Sequence, residues 1–467
     1  FTVTENGDVV QGSFSPYGDN WSNYFGGDSG LNFGDVTAVD FDANDWTMEL
    51  WWNPQDLSTG DPFVFKDNVA TRSFQFRHRP GTSGEVEFLF WSSNTLYNTS
   101  TTSEFVYSTG FDVGEWYHIA LVHDSGTFEC FVNGTSIGTW TPAANNIDSG
   151  TDTLNVGYYS GGTHVYASGY LSNVRVVNGT ALYTSSFTPS TSPLTAVTNT
   201  TLLTCQSNSF KDNSSNDYSV TLAGTPKVTP FSPFKNDDAR DITTDGGSAY
   251  FDYGPYLTLP QNTAFNFGTG DFTVEFWVNL KTYRTSGPYY DAFVTFGHYT
   301  SSPYFRVNPN GTFEVGLTVA SAFASTTILK HNEWYHLAVT RSGTTARIFV
   351  NGTLEATLTN STNLGNSSAV TLGTSAWHLT NEEMQGYLSD VRIVKGTAVY
   401  TSSFTPPTAP LTAVTNTSAL LSFQDAGIYD RSGINNLDTV GDARLGFAPI
   451  YGTGSLAFDG TGDYLSM

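Results

Sequence analysis

An all-β chain built of tandem antiparallel β-sandwiches is what this sequence predicts, on three observations. Residues 171–200 return at 388–417 with 24 of 30 positions identical. Short runs rich in aromatic and β-branched residues follow one another between turn-forming stretches, and no segment carries convincing helical periodicity. A period of 217 positions is far longer than a solenoid unit and marks whole tandem domains.

The strand signals fall in order over 46–52 (WTMELWW), 74–76, 86–91, 116–122, 127–132, 154–156 and 170–177. Two alternating runs in 344–358 flank Asn351-Gly352, a pair that accepts φ > 0 at both central positions of a type I′ turn. A hairpin is expected there, and Asn133-Gly134 predicts the same one in the first copy.

Gly114-Glu115-Trp116-Tyr117-His118 recurs as Asn332-Glu333-Trp334-Tyr335-His336, and Phe14-Ser15-Pro16-Tyr17 is followed by Phe231-Ser232-Pro233-Phe234 and Phe447-Ala448-Pro449-Ile450. These landmarks divide the chain into the end of a preceding repeat with its linker (1–17), a first domain (18–222), a linker (223–246), a second domain (247–440), and a linker with the first strand of a further repeat (441–467). The sequence is thus expected to begin inside one copy and stop inside another. Its two terminal fragments, 1–4 and 457–465, carry strand patterns and are expected to pair with complementary strands.

Composition bounds the function. Aromatics make up 15% of the 467 residues, Lys and Arg together number 19, and the formal charge is −24. A surface so acidic repels a phosphate backbone, so nucleic acid is not an expected partner. No run of about 18 apolar residues occurs, so no membrane insertion is expected. Cys130 and Cys205 align with Ile348 and Phe423, both apolar, and are expected to be buried and reduced, with a disulfide between them the alternative reading.

The Trp-containing strand 115–122, the strand ending Val132-Asn133-Gly134 and the late strand 171–175 together resemble the laminin G-like, concanavalin A-like jelly roll, which implies two stacked antiparallel sheets in each domain. The narrower signature 179–189 (GTALYTSSFTP), repeated at 396–406, together with Phe-Ser-Pro-Phe and 458–465 (FDGTGDYL), is similar to jelly-roll modules of virion structural proteins from marine bacteriophages, especially those of cyanobacteria. Similar modules also occur in large bacterial surface proteins. The resemblance implies a non-enzymatic structural or adhesion protein of a virion fibre or appendage, with other subunits of the assembly and host-surface glycans as partners. A secreted or cell-surface bacterial adhesin or filament is the alternative, and a carbohydrate-active enzyme the weaker one.

Jelly-roll glycosidases place two carboxylates on one strand, whereas Glu49 and Glu275 each sit singly between apolar neighbours and Glu382-Glu383 are adjacent. No catalytic residue is expected. His118 and His336 match across the repeat but read as structural, as do Trp116 and Trp334; Arg175 and Arg392 read as forming sheet-face pairs with Asn173 and Asp390, two positions earlier. No cofactor is assigned. Calcium stays open because Asp252, Asp271, Asp459 and Asp463 lie in turn-like stretches, although none has dedicated ligand spacing. The copies differ most in the loops between the first long strand and the Glu-Trp-Tyr-His strand, and again near 164 and 377. Binding is expected at aromatic residues of those loops: Trp91, Tyr97, His164 and Tyr166 in the first copy, Tyr289, Tyr290, Trp377 and His378 in the second.

Overall fold

A computed structural model describes residues 4–6, 10–12, 17, 20–26, 28–58, 60–67, 72–79, 81, 84–99, 104–159, 165–230, 246–365 and 367–423, with the strands 438–440, 444–446, 455–457 and 464–466. The Phe-Ser-Pro landmarks, and Asp459 and Asp463, lie outside the described residues. The chain forms two compact units, one of residues 19–235 and one of residues 1–18 with 236–467. Among the described residues there is no α-helix, and none is long and apolar enough to cross a membrane. That statement does not bear on β-barrels.

In the unit 19–235, a front sheet runs in the order Thr135–Trp140, Thr127–Val132, Tyr117–Asp124, Trp46–Pro54, Gly169–Asn178, Ser22–Phe25, Lys227–Thr229, with Thr200–Thr204 also paired to Gly169–Asn178. A back sheet runs Thr221–Ala223, Gly30–Asn32, Asn155–Val156, Pro62–Asp67, Arg72–His78, Val86–Ser92, Thr95–Asn98. Period-2 alternation decides what lies between them: Trp46, Met48, Leu50 and Trp52 leave one face of their strand and are fully buried. Trp52 meets Phe63 of the back sheet at 5.1 Å between ring centroids, and Trp46 meets Phe88 at 5.6 Å. Two antiparallel sheets packed face to face over an aromatic core make this a jelly-roll sandwich.

The other unit repeats the plan. Its front sheet centres on Phe272–Thr282 between Trp334–Ser342 and Gln385–Lys395, and its back sheet on Asp291–Thr295 and Tyr304–Val307. Phe276 crosses to Phe293 and Phe313 at 5.7 and 6.2 Å. Val10–Gly12 closes the edge of this front sheet beside Ser248–Asp252, and Thr4–Asn6 closes the back sheet beside Tyr256–Leu259. Two further pairs, Asp438–Val440 with Tyr464–Ser466 and Arg444–Gly446 with Ser455–Ala457, each form a two-stranded sheet.

Each front sheet is also covered on its outer face, which a plain alternating strand would have left to solvent. Residues 179–199, which carry the long signature, lie across it as a strap. Phe187 N–H donates to the Gly134 carbonyl (2.9 Å), Leu182 N–H to the Thr47 hydroxyl (2.9 Å) and Leu194 N–H to the Asn173 side chain (2.7 Å). Tyr183 and Phe187 stack at 3.6 Å with 6° between their planes and pack on Ala120, Val122 and Phe131. Tyr400 and Phe404 repeat this at 3.6 Å and 5°. The most strongly repeated sequence in the chain is therefore the part that seals a sheet face.

The hairpin turns are as expected, with φ of +49° and +75° at Asn133-Gly134 and +47° and +76° at Asn351-Gly352. Cys130 and Cys205 are both buried, free thiols, and burial pushes both well above the ordinary thiol range.

Candidate functional site

Beneath each strap lies a buried polar cluster. Glu49 stands directly opposite Arg175 in the register of its strand with Gly169–Asn178, because a bulge between Ser172 and Arg175 resets the alignment. The bulge contains Asn173 at φ +52°; Asp390, its counterpart, has φ +47°, and Asn and Asp tolerate this left-handed region better than other side chains. Arg175 grips Glu49 through Nε (2.9 Å) and Nη2 (2.5 Å), His118 Nε2 lies 3.1 Å from the other carboxylate oxygen, and the Tyr183 hydroxyl donates to that oxygen at 2.9 Å. Glu275, Arg392, His336 and Tyr400 form the same cluster with contacts of 2.6 to 3.2 Å.

This corrects one reading of the sequence. The partners of Arg175 and Arg392 are the glutamates on the neighbouring strand, while Asn173 and Asp390 are bulge residues; His118 and His336, read as structural, lie beside those same glutamates. Burial raises the Glu49 carboxyl, but hydrogen bonds and charge from His118 and Arg175 outweigh it and hold the group below its usual range; Glu275 behaves alike with His336 and Arg392. A buried carboxylate kept ionised, with both oxygens engaged, is poorly suited to deliver a proton as a glycosidase acid must. Its geometry instead locks strap to sheet.

The expected ligand residues divide by unit. In the unit 19–235 Trp91 is buried, correcting its assignment to an exposed loop: the strand Val86–Ser92 is covered on both faces. Tyr97 stacks on Phe90 at 5.1 Å and 10°, and Tyr166 on Tyr158 at 6.0 Å and 10°. His164 falls outside the described residues.

In the other unit all four expected residues come together on one rim. Tyr289 meets His378 edge-on at 5.5 Å. The Arg306 guanidinium lies 3.4 Å above Tyr290 and 4.6 Å from Tyr304, held in place by Glu314, whose Oε1 accepts from Arg306 Nε at 2.8 Å. Trp377 packs against Tyr304 (5.7 Å), Tyr299 (5.4 Å) and His298 (6.3 Å). Tyr289, Tyr290, Tyr299 and Trp377 are half-buried and His298 and His378 exposed, so the rings are fixed by packing yet retain accessible surface. Glu382 adds a buried carboxyl near Arg306 and His378, raised by burial against the pull of Ser375, Arg306 and His378. Sequence reasoning missed His298, Tyr299, Arg306 and Glu382; their signal was position, since three loops converge here after the strands that end near 282, 295 and 372.

Among the described residues no group of three or more His, Cys, Asp or Glu is placed to hold a metal ion. Two of the open calcium candidates are spent on the protein itself: Asp252 accepts from Gln385 (2.6 Å) and Asp271 from the Gly343 N–H (2.7 Å).

A family model described as the concanavalin A-like lectin/glucanases superfamily, laminin G type, matches residues 25–184 and 251–399. No curated protein matches the chain. Among solved structures it is similar to a Bacteroides ovatus protein (15% identity, TM-score 0.33, 45% of this chain and 60% of that one). It is similar also to domains LG4-5 of the mouse laminin alpha1 chain (11%, TM-score 0.30, 84% and 94%). A third is the CBM40 of a Ruminococcus gnavus IT-sialidase bound to alpha2,3 sialyllactose (15%, TM-score 0.25, 38% and 95%). The chain thus spans about 60% of the first of these.

Proposed function

Since the chain belongs to the concanavalin A-like lectin/glucanases superfamily, we propose that it is a non-catalytic structural and adhesion protein that binds glycan through the aromatic rim of its second sandwich, the 247–422 domain, whose own strands run from Ser248 to Leu421. The observation that carries this reading is the grouping of Tyr289, Tyr290, Trp377 and His378, half-exposed, on loops that differ between two otherwise closely repeated frameworks. Aromatic faces offer apolar area to the C–H faces of a sugar, and Arg306 with the flanking histidines offers hydrogen-bond donors to its hydroxyls. A rigid sandwich presenting variable loops is a common way to hold such a surface.

The protein acts outside a cell, in a virion fibre or appendage, and the signature over 179–189 and 396–406 supports that setting. A net charge of −24 favours solubility and discourages nucleic-acid contact. Single-site contacts of this kind are weak and add through multivalency in an assembly. The test is a glycan array probed with the full chain and with Trp377→Ala. Selective signal that the substitution abolishes supports the reading; absence of signal makes the domain a spacer, and polysaccharide degradation overturns the non-catalytic assignment.

A further inference from the structure

One strand pairing occurs three times in this chain with one register and three different connectivities. Thr221–Ala223 pairs with Gly30–Asn32 so that Thr221 faces Asn32, and Lys227–Thr229 pairs with Ser22–Phe25 so that Lys227 faces Tyr24. Moving 217 positions back along the sequence, Thr4 faces Thr258 and Val10 faces Tyr250. Moving 217 positions forward, Asp438 faces Ser466 and Arg444 faces Ala457. Each time, the closing two-strand segment of a repeat meets the opening two strands of a repeat, residue for equivalent residue.

The distance along the chain is not what selects the partner. The donor segment lies 189 positions after its acceptor in the first case (32 to 221), 254 before it in the second (4 to 258), and 28 before it in the third (438 to 466). The domain 247–422 is completed by the strands Thr4–Asn6 and Val10–Gly12, whereas Asp438–Val440 and Arg444–Gly446, the strands at the periodic position, pair elsewhere. Recognition therefore resides in the strand edges: backbone hydrogen bonds at two exposed edges, in a fixed register, which is the chemistry of β-strand addition. Loop-closure entropy changes slowly with loop length, so a donor reached through a long connection competes well with one close by. Tyr17 extends the contact beyond the ladder. Its hydroxyl donates to the Asp390 carboxylate and its ring meets Trp277 edge-on at 6.0 Å. The residues at the matching positions of the first repeat are Phe234 and Asn173, so the polar pair occurs only where Tyr17 meets Asp390.

We propose that the strands Thr4–Asn6 and Val10–Gly12, with Tyr17, are a transferable complementing segment and that two copies of this chain associate by exchanging it, each segment closing the 247–422 domain of the other. The acceptor edge, Ser248–Asp252 and Tyr256–Leu259, presents the same hydrogen-bonding groups to a segment from either source, and strand exchange between identical chains is a low-cost route to assembly.

The test uses the full chain. Thr4 and Thr258 face each other across the register, within the distance a disulfide spans, and the native thiols of Cys130 and Cys205 are buried and out of reach. Thr4→Cys chain and Thr258→Cys chain are mixed, refolded together and oxidised, and linked peptides are identified by mass spectrometry. The expected result is a covalent dimer containing a 4–258 link, several-fold diminished by Val10→Pro/Gln11→Pro, since one of two adjacent residues in an antiparallel edge strand turns its N–H to the partner. The double variant Thr4→Cys/Thr258→Cys, oxidised by itself, is expected to give monomer and dimer in a ratio that shifts toward dimer as protein concentration rises. A double variant that links only within the monomer at every concentration, with no 4–258 link in the mixture, overturns the exchange. A double variant that forms no 4–258 link overturns the pairing as well.

Discussion

A β-carbon placed on Gly134 would stand 1.9 Å from the carbonyl oxygen of Phe187, and one on Gly352 would stand 1.9 Å from that of Phe404. Both glycines also hold φ near +75°, where a side chain is strained whatever the space. The hairpin turn and the strap thus depend on one hydrogen atom. Gly134→Ala combines left-handed strain with a backbone clash, and is expected to cost about 2–4 kcal/mol. Thermal unfolding of the variant should show the loss, with Gly114→Ala, where φ is +87° but nothing lies within 4 Å, losing only the smaller strain contribution.

Removing one partner from the buried cluster should be costly. Glu49→Ala leaves Arg175 buried beside no carboxylate, for which an expected loss of about 3–5 kcal/mol follows from the behaviour of broken buried pairs. Tyr183→Phe deletes a single hydrogen bond to the same carboxylate and should cost about 1–2 kcal/mol. The cluster also sets an acid limit. Because Glu49 and Glu275 have folded values below their unfolded ones, their contribution is present above about pH 4.3 and is lost as pH falls through the folded values. Urea titrations at descending pH should show stability falling below that point in the parent chain and less steeply in Glu49→Gln.

Asp61 acts with the opposite sign. It is buried beside Trp52 and accepts from the Ser168 N–H at 2.9 Å; burial pushes its carboxyl up to about 7 despite that bond. The unfolded chain therefore ionises this group from about pH 4, whereas the folded chain keeps the proton until about pH 7, so stability declines as pH rises through that interval. Asp61→Asn retains the acceptor oxygen and removes the titration. It is expected to be more stable than the parent at pH 8 by a few kcal/mol at most, about 1.4 kcal/mol for each pH unit between the two values, and nearly equal to it at pH 4. A constant difference across pH would contradict the assignment.

What the sequence disclosed follows the range over which each signal acts. Alternation in WTMELWW and the Asn-Gly pairs specify local geometry, and the strand Trp46–Pro54 and both hairpins lie where those patterns put them. Strands of two or three residues are too short to carry a period: Gly30–Asn32 was not legible, whereas Asn155–Val156 falls within the run expected over 154–156. Glu49, His118 and Arg175 looked isolated because they are 69 and 126 positions apart from Glu49, and only strand register and a bulge bring them into contact. Their joint recurrence in the second copy was the available signal. Trp91 misled because the polar run that follows it, Ser92-Ser93-Asn94, reads as a loop, whereas Trp91 itself ends the apolar stretch Phe88-Leu89-Phe90 of a strand buried on both faces.

Trp91 and Trp377 offer the sharpest separation of packing from recognition. Trp91 is 7% exposed on a central region of the back-sheet hairpin, so Trp91→Ala opens a cavity and should cost about 3–5 kcal/mol of stability. Trp377 is half-buried at the loop rim, bounded by Tyr299, Tyr304 and His298, and its truncation removes accessible aromatic area without opening the core. Trp377→Ala should shift the thermal midpoint far less than Trp91→Ala while lowering apparent glycan affinity about tenfold or more, a loss of at least about 1.4 kcal/mol in binding. His378→Ala should weaken binding in the same direction, because it frees the Tyr289 ring that it now holds edge-on. If both rim variants bind as the parent does, with stability unchanged, the rim is not the glycan surface.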